Sequence, residues 1–514
     1  MQQVRTAALA FVAITVLIVS GSQFGTSVGA AAPSASFRPG EGSKPSSCDK
    51  KYTGVIVPVI LPLQLGGKVD GQFEASCNAY QEFTYLNWRS AGHGIPDPTV
   101  KGSAFGAPVD GAHTYATVWE TYTNPDVLFA TPTGLRNVKL SSNGLRTLSA
   151  ISKGDGDDVH FSGFQQAGSF GWLTTRGGDL TFYEERIDND EAQYITSNGL
   201  TSAAKQRTCA QSKYGLNLPA GASVDPAKPW TDHSCTGAAV TYGQNIGAIE
   251  LKAAWIELHD PALYRKYLIS RANLLYPDGT ERKNVVIGLV GLHIIHKSPT
   301  TQQFLWATFE HVDNVPDATP YPEVPSTEAP ATPTATPQWT YYNPNCAGPF
   351  CAVNKLPSPC PAPPIPGCQG YHVPTRTMRV VPRSSFAEAE NTTFDEALTT
   401  AGAVNSVFRY YRLVDVQWPT QGTLVNPPGA PIPLSDGVAL PRWIVANATM
   451  ETYFQNVLAC QSCHTGAAVS EGRPGGRVHI NLVNPVLLRK LMHAKSGEPT
   501  EYASDYSFIF GKAK

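Results

Sequence analysis

The sequence predicts an α+β protein: a large β-rich N-terminal domain, a Pro/Cys-rich connector and a small, mainly helical domain at the C-terminus. Three observations carry that expectation. Only 16% of the 514 residues are charged, too few for a solvated all-helical bundle of this length. The 45 glycines and 42 prolines supply a high density of turns, while 42% hydrophobic residues suffice for real cores. The best-defined periodic segments alternate apolar and polar positions, as half-buried strands do.

Residues 1–30 read as a secretory signal peptide. Arg5 precedes an apolar run from Ala7 to Val19, and small residues follow up to Ala30, Ala31 and Ala32. The run is shorter than the roughly 20 residues that span a bilayer, so no stable membrane span is expected after cleavage. The first cysteine is Cys48, which gives no lipid-modified cysteine near the cleavage region. The expected location is exported, periplasmic or extracellular. A formal charge of -2 leaves no basic excess for phosphates, which excludes nucleic acid as a partner and argues against a polybasic membrane anchor.

Residues 48–315 form the β-rich domain, to which composition assigns no role. A helix is expected around Ala75 to Arg89 and another around Asp188 to Ser197. Gly171 to Thr175 and Leu180 to Tyr183 flank Arg176, Gly177, Gly178 and Asp179, which reads as a hairpin with a glycine turn. Ile249 to Trp255 alternates; Val285 to Ile295 is a near-continuous apolar run that suits a strand buried on both faces; Phe304 to Phe309 follows after a turn. Residues 316–374 are the connector. Seven prolines between Pro316 and Pro337 cannot bury a core, and Cys346 to Cys368 reads as an irregular, disulfide-pinned stretch. In 375–514 a strand is expected over Phe408 to Val416, then helices: Met450, Tyr453, Phe454, Val457 and Leu458 make one stripe, Asn484-Pro485 opens a second with Leu487, Leu488, Leu491 and Met492, and Tyr502, Tyr506, Ile509 and Phe510 make a third.

Ten cysteines suit an oxidising compartment. Cys48, Cys77, Cys209, Cys235, Cys346, Cys351, Cys360 and Cys368 can form four disulfides, pairing of neighbours being the simplest arrangement. The last two differ. Cys460-Gln-Ser-Cys463-His464 is C-x-x-C-H, the attachment sequence of c-type haem. On a helical turn, positions i, i+3 and i+4 share a face, so two thiols reach the vinyl groups of one porphyrin while the imidazole reaches its iron. A redox C-x-x-C would want a βαβ setting, and a zinc site a second paired motif; neither is evident. An ordinary disulfide between the two cysteines is the remaining reading. The cofactor expected is one covalent haem c, with His464 as proximal ligand. For the distal position Met492 and Met450 are candidates, with His479 and His493 as local alternatives; an ordinary core role suits both methionines equally well.

The C-terminal part thus resembles a monohaem c-type cytochrome, Cys460, Cys463 and His464 matching its attachment residues, although such cytochromes often carry the motif near their start. Tyr85 to Trp88, Val118 to Thr121, Thr308 to Asn314, Gln417 to Pro419, Thr449 to Tyr453 and Asp505 to Phe508 also resemble long exported bacterial proteins known only as cytochrome c family. The resemblance implies haem and export, with 375–514 as the haem domain, and supplies no substrate.

Other signals are weaker. His293 and His296, three apart in a strand, point to opposite faces and cannot chelate one ion. Glu310, His311 and Asp313 place carboxylates beside an imidazole, making His311 a weak catalytic candidate against a scaffold role. Trp88 and Trp119 read as core. Asn391 and Asn447 lie in N-x-T sequons. The expected function is single-electron transfer with an unidentified redox partner. The alternatives are a peroxidase-like haem oxidoreductase with an open sixth site, or a haem-tethered ligand-binding or sensor protein.

Overall fold

The structure, a computed structural model, describes residues 71–130, 145–149, 173–221, 230–276, 279–299, 301–318, 339–346, 352–354, 376–418, 425–432, 434, 444–453, 455, 460–470 and 502–513. The signal-peptide segment 1–30, His479, Met492, His493 and the stripe from Leu487 lie outside the described residues. Helix and sheet are mixed, with a large sheet-rich body and few helices, so the α+β expectation holds at that level.

The sheet has seven strands: β1 Arg146–Ser149, β2 Phe182–Ile187, β3 Ile249–Glu257, β4 Ile269–Leu275, β5 Glu281–Ser298, β6 Thr301–His311 and β7 Tyr411–Gln417. Their order is β1-β4-β5-β3-β2, while β6 pairs β5 and β7 pairs β6. The 18-residue β5 makes this branch: Glu281 to Gly288 pair with β4, and Gly291 to Ser298 pair with β6 along the same edge. All pairings are antiparallel except the parallel β1–β4 pair. The apolar run of β5 is buried from Val286 to Leu292, as a strand covered on both faces requires.

β7 belongs to the segment 375–514, yet it completes the sheet begun by 48–315. The sheet therefore runs across the expected domain boundary. Part of the connector docks as well: Tyr341 is fully buried in the main core, and its hydroxyl lies 2.9 Å from Thr181 Oγ1.

The four described helices of eight residues or more are α1 Gln72–Leu86, α2 Asn189–Ser197, α3 Ala203–Ala210 and α4 Ser385–Thr400. Their ends have local causes. Asp188 caps α2 by accepting from the Glu191 amide at 3.0 Å, and Gly199, at φ 66°, ends it in the left-handed conformation that glycine adopts at no steric cost. Ser384 caps α4 through the Ala387 amide at 3.0 Å. No described helix is long and apolar enough to cross a membrane.

One face of the sheet is covered by α1 and α4. Tyr80 and Phe83 of α1 reach Phe309 of β6 at centroid distances of 5.2 and 4.4 Å, and Tyr80 stacks on Phe394 of α4 at 4.4 Å. The opposite face carries residues 444–453, 460–470 and 502–513. Asn447 Nδ2 donates to Thr308 Oγ1 at 2.8 Å and to the Phe309 carbonyl at 3.0 Å, and the Tyr183 hydroxyl donates to the Thr449 carbonyl at 2.6 Å. Gly291 permits this approach, because a Cβ there would lie 2.3 Å from Thr449 Oγ1. Residues 448–453, which carry Met450 and Tyr453 of the first stripe, form turns rather than the expected helix, while Phe454, Val457 and Leu458 lie outside the described residues. Phe508–Lys512 is a 3-10 helix and not the expected α-helix, close backbone contact with the sheet taking the place of an amphipathic helical face.

Cys209 and Cys235 form a disulfide, a neighbouring pair as expected, and Cys77 and Cys346 each take part in a further disulfide. The two sequon asparagines serve the fold. Asn391 and Asn447 are buried, and the Asn391 amide donates to the Leu413 carbonyl at 3.1 Å, which closes both to glycan attachment in the folded chain.

Candidate functional site

Cys460–His464 is one helical turn, α5. Cys460 is half-buried against the apolar cluster that contains Trp306 and Phe510; Cys463 is described in its backbone only. The turn is docked on the sheet end: the Gln461 amide donates to Gln417 Oε1 of β7 at 3.0 Å. The His464 ring lies between Trp306 of β6, at 4.4 Å, and Phe508, at 4.7 Å between centroids.

One contact fixes the chemistry of this imidazole. His464 Nδ1 lies 2.7 Å from the Tyr506 carbonyl oxygen, which can only accept, so Nδ1 carries the proton. Nε2 has no hydrogen-bond partner among the described residues. Desolvation pushes the ring down to about 4, overcoming the Tyr506 hydrogen bond that favours protonation, and the nearby charges of Lys252 and His293 act with it. At neutral pH the ring is neutral, with the Nε2 lone pair available. That is the state in which imidazole binds a metal, its other nitrogen held by a backbone carbonyl.

The carbonyl is itself held firmly. Asp505 and Tyr506 adopt φ of 57° and 65°, a left-handed conformation that a tyrosine rarely takes. Asp505 over-determines the turn: its buried carboxylate pairs with Lys297 Nζ at 2.5 Å and accepts from the Leu218 amide at 2.7 Å and Asn426 Nδ2 at 2.6 Å. Ser507 Oγ accepts from the Ile509 amide, starting the 3-10 helix that brings Phe508 to the ring. A strained, well-anchored turn thus aims one oxygen at His464.

Beside it lies a pair of buried acids. Burial pushes the Glu250 carboxyl up to about 8, with the charges of Glu185 and Asp505 adding to the shift; Glu191 is also raised, by burial and by the charge of Glu250. A carboxyl whose folded value exceeds its ordinary 4.5 contributes stability that is complete below 4.5 and is lost as pH rises to about 8. Stability should therefore fall with rising pH across this window, by up to about 1.4 kcal/mol per pH unit for one such group. Glu250→Gln is expected to flatten the fall and to stabilise the protein above pH 8, as read from urea midpoints between pH 5 and 9. An unchanged slope would assign the dependence elsewhere.

The other sequence candidates lie apart from this turn. His311 is buried; its Nδ1 accepts from the Asp313 amide at 3.1 Å, its Nε2 lies 3.0 Å from the Lys266 carbonyl, and its ring stacks on Tyr267 at 3.9 Å. Both nitrogens serve the backbone, which leaves His311 a scaffold role and no lone pair or proton for catalysis. Glu310 pairs with Arg379 and accepts from the Ala448 amide. His293 and His296 do point to opposite faces: His293 contacts Thr308 and Glu451, whereas His296 contacts Glu82 of α1 at 2.6 Å and the Ile246 carbonyl at 2.9 Å. Met450 is fully buried in the main core cluster, and the α5 turn packs against the second. Trp88 and Trp119 are core residues. Sequence reasoning missed Trp306, the Tyr506 carbonyl and its Asp505–Lys297 anchor. The φ values at 505–506 have no local sequence signal, and the Trp306 contact depends on long-range packing.

Comparison with protein families, with curated proteins and with solved structures yields no match. The chemistry of the α5 turn carries the functional reading by itself.

Proposed function

We propose that this chain is an exported c-type cytochrome that holds one covalent haem at Cys460, Cys463 and His464 and passes single electrons to or from a partner protein. The observation that carries the reading is the α5 turn, in which the C-x-x-C-H residues fall at helical spacing and His464 keeps Nε2 unengaged among the described residues while its Nδ1 proton is held by Tyr506. When bound, the haem would supply a one-electron iron couple. The chain's own residues do the rest. Cys460 and Cys463 tether the group, and His464 is oriented by the Tyr506 carbonyl to offer Nε2. Trp306 and Phe508 keep water from the ring, which favours the neutral imidazole.

A pyridine haemochrome assay on purified exported protein tests this, with one haem of c-type spectrum per chain expected. A colourless chain whose Cys460 and Cys463 are alkylated by iodoacetamide, or joined to each other, would overturn it. Near-infrared spectra of the ferric protein then name the distal ligand. A sulfur-to-iron band lost in Met492→Ala assigns Met492, and one lost in Met450→Ala assigns Met450. A spectrum that is high-spin and responds to peroxide would replace electron transfer by the oxidoreductase reading.

A further inference from the structure

A second cluster of metal-capable side chains lies elsewhere on the sheet. Asp179 stands in the turn closed by the Thr174–Leu180 bridge, Glu257 is the last residue of β3, and His259 follows two positions on. One donor atom from each of the three lies within 4.8 Å of the other two, and no other trio of this kind occurs among the described residues. His259 Nε2 is 3.0 Å from Asp179 Oδ1, and His259 Nδ1 is 3.8 Å from Glu257 Oε1.

The state of Glu257 separates this group from an ordinary surface cluster. Its side chain is only 5% exposed. Oε1 forms an ion pair with Arg282 Nη2 at 2.8 Å, whereas Oε2 is buried with no hydrogen-bond partner among the described residues. A carboxylate oxygen removed from water and left without a donor is costly, and native folds give such an atom a partner. A cation held by the three side chains would offset the charge of this buried carboxylate, whose Oε1 lies on the His259 side. Arg282 then acts as the outer contact that turns the carboxylate, as groups behind metal ligands commonly do.

We propose that Asp179, Glu257 and His259 bind a divalent transition-metal ion of the Zn²⁺ type, with Arg282 as the positioning residue for Glu257. Carboxylate oxygen and imidazole nitrogen are both donors that zinc accepts, and three protein ligands leave a further position for water or a substrate. Magnesium and calcium take all-oxygen sets, so the imidazole selects against them. The site stands apart from α5, and the inference does not rest on haem.

The test uses the full chain with its haem, freed of other metals by a chelator and then incubated with ZnCl2 at micromolar concentration. Bound zinc is measured after desalting, and melting is followed in parallel. One equivalent of zinc per chain and a higher melting temperature are expected. His259→Gln and Asp179→Asn, at side chains that are 50% and 21% exposed and therefore compatible with folding, should weaken binding at least tenfold and abolish the rise. His113→Gln, at the exposed Asp110–His113 pair, should change neither. The proposal is overturned if the wild-type chain retains no zinc, or if His259→Gln and Asp179→Asn bind it as the wild type does; the trio is then a hydrogen-bonded network only. Should the chain prove colourless, the same titration with Cys460 and Cys463 replaced by serine decides the zinc site independently of haem.

Discussion

Denatured protein in which Cys460 and Cys463 are both replaced by serine is expected to carry no haem at all, against one per chain in the wild type. Two thioether bonds survive denaturation, whereas the iron–imidazole bond alone does not, so haem stain on a denaturing gel reads the covalent link directly. The single replacements should fall between, each leaving one bridge. His464→Ala should keep some covalent haem but lose the low-spin spectrum, because the side chain that Tyr506 orients is gone while both sulfurs remain. Circular dichroism separates loss of the link from loss of the fold. A double variant that stays red after denaturation would refute attachment at this turn.

The second large effect concerns stability. Lys297→Met is expected to destabilise the protein by about 3–5 kcal/mol at pH 8, because it leaves the buried Asp505 carboxylate without its cation. Burial already pushes Asp505 up, with Lys297 opposing that shift. Without the lysine the folded value climbs further, so the variant's stability falls as pH rises from the ordinary carboxylate value through the new one. The deficit should therefore be smaller at pH 5, where Asp505 can take up a proton, than at pH 8. Urea midpoints at the two values measure it, and equal deficits would show that lost packing rather than charge is responsible. The same variant should loosen the 505–506 turn, so its effect extends to the carbonyl that faces His464.

The local signals in the sequence were good guides where local physics decides. The strand periodicity of Ile249 to Trp255 and the apolar run after Val285 mark β3 and β5 within a few residues, because each strand must present one or both faces to a core. The helix at Ser385–Thr400 escaped, although Ser384 stands ready as its cap. Asn391, Thr392 and Thr393 interrupt its apolar spacing, and the packing of Phe394 on Tyr80 compensates from more than three hundred residues away. The proline-dense connector looks like a domain boundary by composition, yet the pairing of β7 with β6 across it is a long-range choice that composition does not encode. At the site, the chemistry of Cys460, Cys463 and His464 is written in residue types. A backbone carbonyl as second contact is not, since any residue could supply it.

The way the sheet is clad sets an order on the making of this protein. The ribosome finishes β6 roughly 200 residues before Tyr506, an interval on the order of 10–40 s at ordinary elongation rates. The first part of that interval passes without α4, and residues 444–453, 460–470 and 502–513, which clad the opposite face, emerge later still. A half-made chain of this kind is an aggregation hazard that calls for a holding chaperone, and cleavage within the proline-rich stretch before folding would leave two sticky fragments.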